Sequence, residues 1–412
     1  MKILFVANRM PYPPFRGDKL KIYNLAKELS LNNDLYLITI AENEEDVNSI
    51  DELLQPNNTD TGFVGPRANP SRRVLFKSLT WIYKPKWHSA LTAFLGLFSK
   101  RPLQVAYFRS TSFKKRLNEV LQNNEFDAIH VQHIRMAQYF ESSVPTHAIL
   151  DLPDAFSLYW KRRVEAAKNP VEKWFRSLEY KRLVAYEKRI LPKFNKVLVC
   201  SAEDRKYLNE LGIFNVDLLP NGVNIKSFAP KGTESIVSNR ILFTGNMDYA
   251  PNVDAVQYFV EDIFPIILEN VPSAEFIIAG QRPVKAVLDL ASKSVKVTGF
   301  VENLADEYAK AHVVVSPLRI GAGTQNKVLE ALAMNLAVVC SNVGFKGLGI
   351  SHNEGILMAD NSTTFANSVV AILQSEELRK KLGETGGQHV RNTFSWSAVS
   401  NQLLEHFNSI KK

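Results

Sequence analysis

The chain has 412 residues, of which 45% are hydrophobic and 22% charged. It is too long for one ordinary hydrophobic core, and its average composition excludes disordered and collagen-like classes. The formal charge of +8 is uneven: residues 1–218 hold 33 Lys and Arg against 24 Asp and Glu, and the remainder holds 17 against 18. A basic first half suits an anionic membrane face, a phosphorylated acceptor or nucleic acid.

The opening Lys2-Ile-Leu-Phe-Val-Ala7 reads as the first strand of a parallel sheet, apolar on both faces. Asn8 and Arg9 cut it short of a signal-peptide core or membrane span. Cys200 and Cys340 each end an apolar run and form neither a disulfide framework nor a metal cluster, so a reducing, cytoplasmic setting is expected.

Further strands are expected at 35–40, 128–132, 147–151 and 196–200, with a long helical insertion at 155–191. The turn signals of Leu219-Pro-Asn-Gly-Val223 place a junction there. Beyond it, strands are expected at 240–245, 274–280, 295–299, 312–317 and 336–340, and helices near 252–269, 283–292, 303–310, 325–334 and 363–374. Alternating strands and helices imply right-handed crossovers and parallel sheets, with ligands beyond the strands' carboxyl ends. The domains expected are 1–219, 220–395 and a final helical segment, 396–412.

The most informative stretch is Val313-Val-Val-Ser-Pro-Leu-Arg-Ile-Gly-Ala-Gly-Thr-Gln-Asn-Lys-Val-Leu-Glu330. A buried strand runs into a loop with Gly321 and Gly323, and a helix is expected from about Thr324, a suitable N-cap. Amides at such a helix start bind phosphate. Lys327 in the first turn opposes the helix dipole unless an anion lies nearby. Glu330 shares its face, roughly 9 Å past the helix start, within reach of a ribose. The alternative is a simple Lys327–Glu330 pair on a solvated helix.

This stretch resembles the nucleotide-binding signature of glycosyltransferase family 4, the glycosyltransferases group 1. Phe243-Thr-Gly-Asn-Met-Asp-Tyr-Ala-Pro-Asn-Val-Asp-Ala-Val256, Pro220-Asn-Gly-Val223 and Pro11-Tyr-Pro-Pro-Phe-Arg-Gly-Asp-Lys19 extend the likeness. With Tyr107-Phe-Arg-Ser110 and Met136-Ala-Gln-Tyr139, they resemble a subgroup of sugar transferases of exopolysaccharide systems. The resemblance implies an α/β fold of GT-B architecture: two Rossmann-like, doubly wound domains facing a central cleft. It also implies that the last helix crosses back onto the first domain.

The activity implied is retaining, metal-independent transfer of a sugar from a UDP- or GDP-linked donor. The acceptor would be a saccharide or lipid-linked saccharide, and no cofactor is needed beyond the nucleotide-sugar. Glu330 would bind the ribose, Arg319 and Lys327 the diphosphate, and amides of Gly321, Ala322, Gly323 and Thr324 the sugar and phosphates. Gly245 and Gly17 complete the implied donor set. Ala322 stands where many family members carry a second glutamate near the donor sugar, which leaves the sugar's identity open.

In the first half, His133 at the end of Asp127-Ala-Ile-His-Val-Gln-His133 fits a family histidine that contacts the donor sugar, with His130 structural beneath it. Asp151 and Asp154, after another strand, suit an acceptor hydroxyl or the capping of the next helix. The family's usual mechanism, front-face attack with the leaving diphosphate taking the acceptor proton, leaves no residue as sole base.

Residues 72–101 carry seven Lys and Arg, six large aromatics and no acid, a pattern suited to an anionic membrane surface. Residues 158–193 are also basic, but their glutamates are spaced as on a solvated helix. No recognition motif accompanies the charge, so nucleic acid is not expected. The rival functions are a nucleotide-sugar epimerase, a phosphorylase or a non-catalytic nucleotide-binding subunit.

Overall fold

The computed structural model describes residues 1–14, 17–48, 50, 53, 75–165, 167, 169–230, 232, 236–320 and 325–410. They form two compact units: Met1–Pro220 with Val399–Lys412, and Asn221–Ala398.

The first unit is built on a seven-stranded parallel sheet. Its strands are β1 (Lys2–Val6), β2 (Asp34–Ala41), β3 (Ser78–Tyr83), β4 (Ala128–Gln132), β5 (Ala148–Leu152), β6 (Lys196–Val199) and β7 (Val216–Leu218). Their order is β3-β2-β1-β4-β5-β6-β7. Ile3 through Val6 are wholly buried, because helices cover both faces of this central strand.

The second unit holds β8 (Arg240–Thr244), β9 (Glu275–Ala279), β10 (Val295–Gly299), β11 (Val313–Ser316), β12 (Ala337–Cys340) and β13 (Leu357–Met358). The order β10-β9-β8-β11-β12-β13 reverses between β8 and β11, which makes that crevice the expected ligand position. The two-residue period of the strands divides the core. Ile241, Phe243, Val313, Val315 and Val339 pack on one face, and Leu242, Val314, Val338 and Cys340 on the other.

Several elements depart from the sequence pattern. The helix expected over 252–269 runs from Ala250 to Tyr258, widens into a π segment at Phe259–Ile263, and resumes at Phe264–Asn270. Pro265 has no N–H for a regular helical bond, so the backbone register opens there. A helix at Glu376–Thr393 was hidden by its glycines. A Cβ on Gly383 would stand 2.0 Å from the Asn335 carbonyl oxygen, and one on Gly387 2.0 Å from Asn335 Oδ1. Those glycines admit a close neighbour and do not break the helix. The insertion at 155–191 is two helices, Phe156–Glu165 and Pro170–Ile190, the second capped by Asn169.

The basic segment 72–101 is not uniform. Residues 72–74 lie outside the described set. Ser78–Tyr83 is the edge strand β3, paired in parallel with β2. Lys84, expected as a surface cation, is buried, with its ammonium on Thr92 Oγ1 (3.1 Å) and the Tyr107 carbonyl. The helix Lys86–Gly96 follows.

The last helix, Trp396–Ile410, is tied to the first unit at its end. Lys196 Nζ donates to Ser409 Oγ at 2.9 Å, and His406 Nε2 lies 3.1 Å from the Leu218 carbonyl oxygen. Among the described residues no helix is long and apolar enough to cross a membrane.

Candidate donor site and companion network

In the second unit the site begins where β8 and β9 end. A Cβ on Gly280 would stand 1.7 Å from the Gly245 carbonyl oxygen, and one on Gly245 2.6 Å from Asn252 Nδ2. Gly245 is thus required by close packing. It lets Asn252, at the start of the helix Ala250–Tyr258, turn its amide into the site. Asn252 Nδ2 donates to the Asn246 carbonyl (3.0 Å), which leaves Oδ1 facing Lys327.

The helix after β11 spans Asn326–Ala333 and is capped at Gln325, one residue later than expected. Gly321, Ala322, Gly323 and Thr324 lie outside the described residues. Lys327 is buried in the first turn. Its ammonium donates to Asn252 Oδ1 (2.7 Å) and sits 4.0 Å from the Phe243 ring centroid. Burial pulls the Lys327 pKa down to about 7, with Glu330 offsetting only part of the effect.

Glu330 is partly buried and faces Tyr308 instead of Lys327. Tyr308 Oη donates to Glu330 Oε2 at 2.9 Å and lies 2.7 Å from Thr244 Oγ1. One carboxylate oxygen is thereby held by Tyr308. Burial raises the Glu330 pKa, against the pull of Tyr308 and Lys327. The solvated Lys327–Glu330 pair is therefore not what forms. Arg319, at the end of the same crossing, is gripped by Asp254 through two bonds of 3.0 and 2.5 Å and lies over Tyr258. Contact between Arg319 and a phosphate would require it to leave that carboxylate.

The first unit has its own polar centre at the carboxyl ends of β4 and β5. Asp151 is sealed from solvent between two partners, Lys21 Nζ at 2.8 Å and His130 Nε2 at 3.1 Å. Lys21 also donates to the Leu219 carbonyl (3.0 Å). Burial would raise the Asp151 pKa, but Lys21 and His130 hold it below the usual range. Asp151 is therefore closed in by its two partners. Asp154 is partly exposed and has no hydrogen-bond or ion-pair partner among the described residues. Burial, then the nearby Asp204, pushes it up to about 6. It does not cap the next helix either: Asp204 Oδ1 accepts from the Ala155 amide at 2.9 Å.

His133 takes φ of +73° at the end of β4, an uncommon conformation for a residue with a side chain. Its Nδ1 accepts from the Arg135 amide (3.3 Å), so the neutral ring presents Nε2 as a donor. Burial, Arg135 and Arg9 keep its pKa well below the ordinary value. Gly17 opens the helix Gly17–Leu29, and Phe15 and Arg16 before it lie outside the described residues. Asn8, after β1, is wholly buried, and neither amide atom has a partner among the described residues.

The sequence motifs did not single out Lys21, Asn8, Tyr308 or Asn252. Asn252 stands within the quoted stretch 243–256 without a signal of its own. Tyr308 reads as one more core aromatic, and Lys21 as one cation of a helix.

Two Rossmann-like units, each with a parallel sheet and flanking helices, define the GT-B fold. Residues 238–375 match the family model of Glycosyl transferases group 1. Along its length the chain is 21% identical over 418 residues to an uncharacterized 44.6 kDa protein in the cps region of Klebsiella pneumoniae, covering 98% of this chain and 99% of the other. It is 24% identical to a phosphatidyl-myo-inositol mannosyltransferase of Mycobacterium leprae, over 73% of this chain and 78% of that one. Among solved structures, Anabaena Alr3699/HepE in complex with UDP superposes with a TM-score of 0.64 at 12% identity, over 99% of this chain and 100% of that one.

Proposed function

We propose that this protein is a retaining glycosyltransferase that moves a sugar from a UDP- or GDP-linked donor to a hydroxyl of a saccharide or lipid-linked saccharide during bacterial surface-polysaccharide assembly. The observation that carries the reading is Lys327. It is a buried ammonium with a neutral amide and an aromatic ring as partners, and its pKa is pulled down to about 7. Glu330 offsets only part of the cost of burying this ammonium, and a diphosphate supplies the missing negative charge. Glu330, fixed by Tyr308 on one oxygen, accepts from the ribose hydroxyls with the other. The relative in a cps region and the UDP complex of a structural neighbour support the same assignment.

In this reading catalysis is mostly positioning and stabilisation of charge on the departing diphosphate, which Lys327 supplies without a metal ion. His133 offers a neutral N–H to the donor sugar. Asp154, with its raised pKa, orients or deprotonates the acceptor.

A thermal-shift screen against UDP, GDP, ADP and their sugar conjugates tests the proposal, with Glu330→Ala in parallel. A ligand at 100-fold its dissociation constant stabilises by about 2.7 kcal/mol. One nucleotide series should raise the melting temperature, and the variant should lose that shift. No shift from any nucleotide would sink the donor assignment. Conversion of donor with no acceptor present would make the protein an epimerase instead.

A further inference from the structure

The helix Lys86–Gly96 is built inside out. Trp87, Leu91, Phe94 and Phe98 follow one another at helical spacing, and all four face solvent, Trp87 at 70% and Phe98 at 82% exposure. The opposite side, with Ser89 and Gly96, is the buried one. Its packing is tight: a Cβ on Gly96 would stand 2.6 Å from Ala106 Cβ, so the apolar face cannot roll inward.

A second apolar group lies along the same surface. Arg182 of the helix Pro170–Ile190 donates to the Leu97 carbonyl at 2.8 Å, which joins that helix to the end of the first. From Arg182 its exposed face runs back to Trp174 and Val171, exposed at 67% and 74%. The span is roughly 16 Å at the rise of an α-helix. Exposed large apolar side chains grouped in this way mark an interaction site.

The charges around it select the occupant. Lys86, Lys100 and Lys173 are exposed at its margins, and residues 75–101 contain no Asp or Glu. The exposed acid within the second group, Glu172, is neutralised by Arg176. Tryptophans and phenylalanines ringed by lysines with no ion-pair partner among the described residues match the chemistry of an anionic bilayer interface.

We propose that this two-helix face docks the first unit on an anionic lipid bilayer. Trp87, Phe94, Phe98 and Trp174 lie in the interfacial layer, and Lys86, Lys100 and Lys173 rest on lipid phosphates. The segment read from sequence as one membrane-facing stretch thus contributes only its helical part, and the helix at 170–190 adds the rest. The inference stands apart from the donor reading, because its residues lie outside the second unit.

The test is co-sedimentation of the full chain with phosphatidylcholine vesicles, with and without phosphatidylglycerol, at low and high salt. The chain should partition onto the anionic vesicles, and salt should release most of it. The triple variant Trp87→Ser, Phe94→Ser, Phe98→Ser should lose binding at least about tenfold. The triple variant Lys86→Gln, Lys100→Gln, Lys173→Gln should lose roughly 100-fold and with it the salt dependence. Equal partitioning of wild type and both variants, or none by the wild type onto anionic vesicles, overturns the proposal. A wild-type dimer in solution that the serine variant converts to monomer also overturns it, since a second copy then covers the face. Far-ultraviolet circular dichroism and the melting temperature check that each variant folds. Failure of nucleotides to shift the wild type would touch the donor site alone.

Discussion

Among the described residues three lysines are buried, Lys21 and Lys84 in the first unit and Lys327 in the second, and Lys21 and Lys327 are held in opposite ways. Lys21 meets a carboxylate, Asp151, and a backbone carbonyl. Burial works against its charge, but Asp151 more than offsets that, and its pKa is raised. Lys327 meets an amide oxygen and a ring face. Nothing there repays its burial in full, and its pKa falls to about 7. A buried cation with a counter-ion is an internal strut. One whose burial is only partly offset is a place where an anion from outside gains most.

The strut should be the more costly to cut. Asp151→Ala leaves the Lys21 ammonium buried without a counter-charge and should destabilise the first unit by about 3–5 kcal/mol, read by urea unfolding. If the loss is small, the pair is not the anchor described. Glu330→Ala removes the carboxylate that Tyr308 holds in the second unit and should weaken nucleotide binding about 10- to 100-fold, with little loss of fold stability. Equilibrium dialysis and urea unfolding on the same sample separate those two effects.

Lys327→Met sharpens the contrast further. It should leave stability unchanged or raise it by about 1 kcal/mol at pH 7, because an under-compensated buried charge is gone, yet abolish the nucleotide-induced thermal shift. Lys21→Met, by contrast, strands Asp151 and should destabilise. Equal behaviour of the two methionine variants would erase the distinction between them.

The smallest effect is in the pH profile. Burial pushes the Glu187 carboxyl up to about 7, against bonds from Ser157 that pull it down. Between its unfolded value near 4.5 and about 7 the native state holds the extra proton, so stability falls as pH rises through that window. For Lys327 the native state holds fewer protons than the unfolded chain between about 7 and 10.5, so its contribution to stability rises with pH there. Glu187→Gln should flatten the lower window and Lys327→Met the upper one, as followed by melting temperature.

Much of the sheet framework could be read from apolar runs, since strands buried on both faces leave uninterrupted Val, Ile and Leu, as in β8, β9, β11 and β12. The strands that escaped were β3, β7 and β13. β3 is an edge strand in which only Leu79 is fully buried, and β13 has two residues. The helix at Glu376–Thr393 escaped because glycine signals a break in sequence and a close contact in space, and the sequence alone does not separate the two. At the site, Lys327 and Glu330 were visible because helix periodicity fixes their spacing. The partners that define their state, Asn252 and Tyr308, come from 75 and 22 residues away, and no local pattern links them. The same holds for Asp151: it was visible at a strand end, but its closure by Lys21 spans 130 residues.

The claim that Lys327 awaits a diphosphate is tested most directly by titration calorimetry with UDP and GDP at pH 8, in two buffers of different ionisation enthalpy. With its pKa near 7, Lys327 is mostly neutral at that pH, and a bound diphosphate should restore its proton. The account predicts uptake of close to one proton per nucleotide bound, seen as a buffer-dependent heat that disappears in Lys327→Met. Tight binding with the same heat in both buffers, or unchanged binding by the methionine variant, would contradict it.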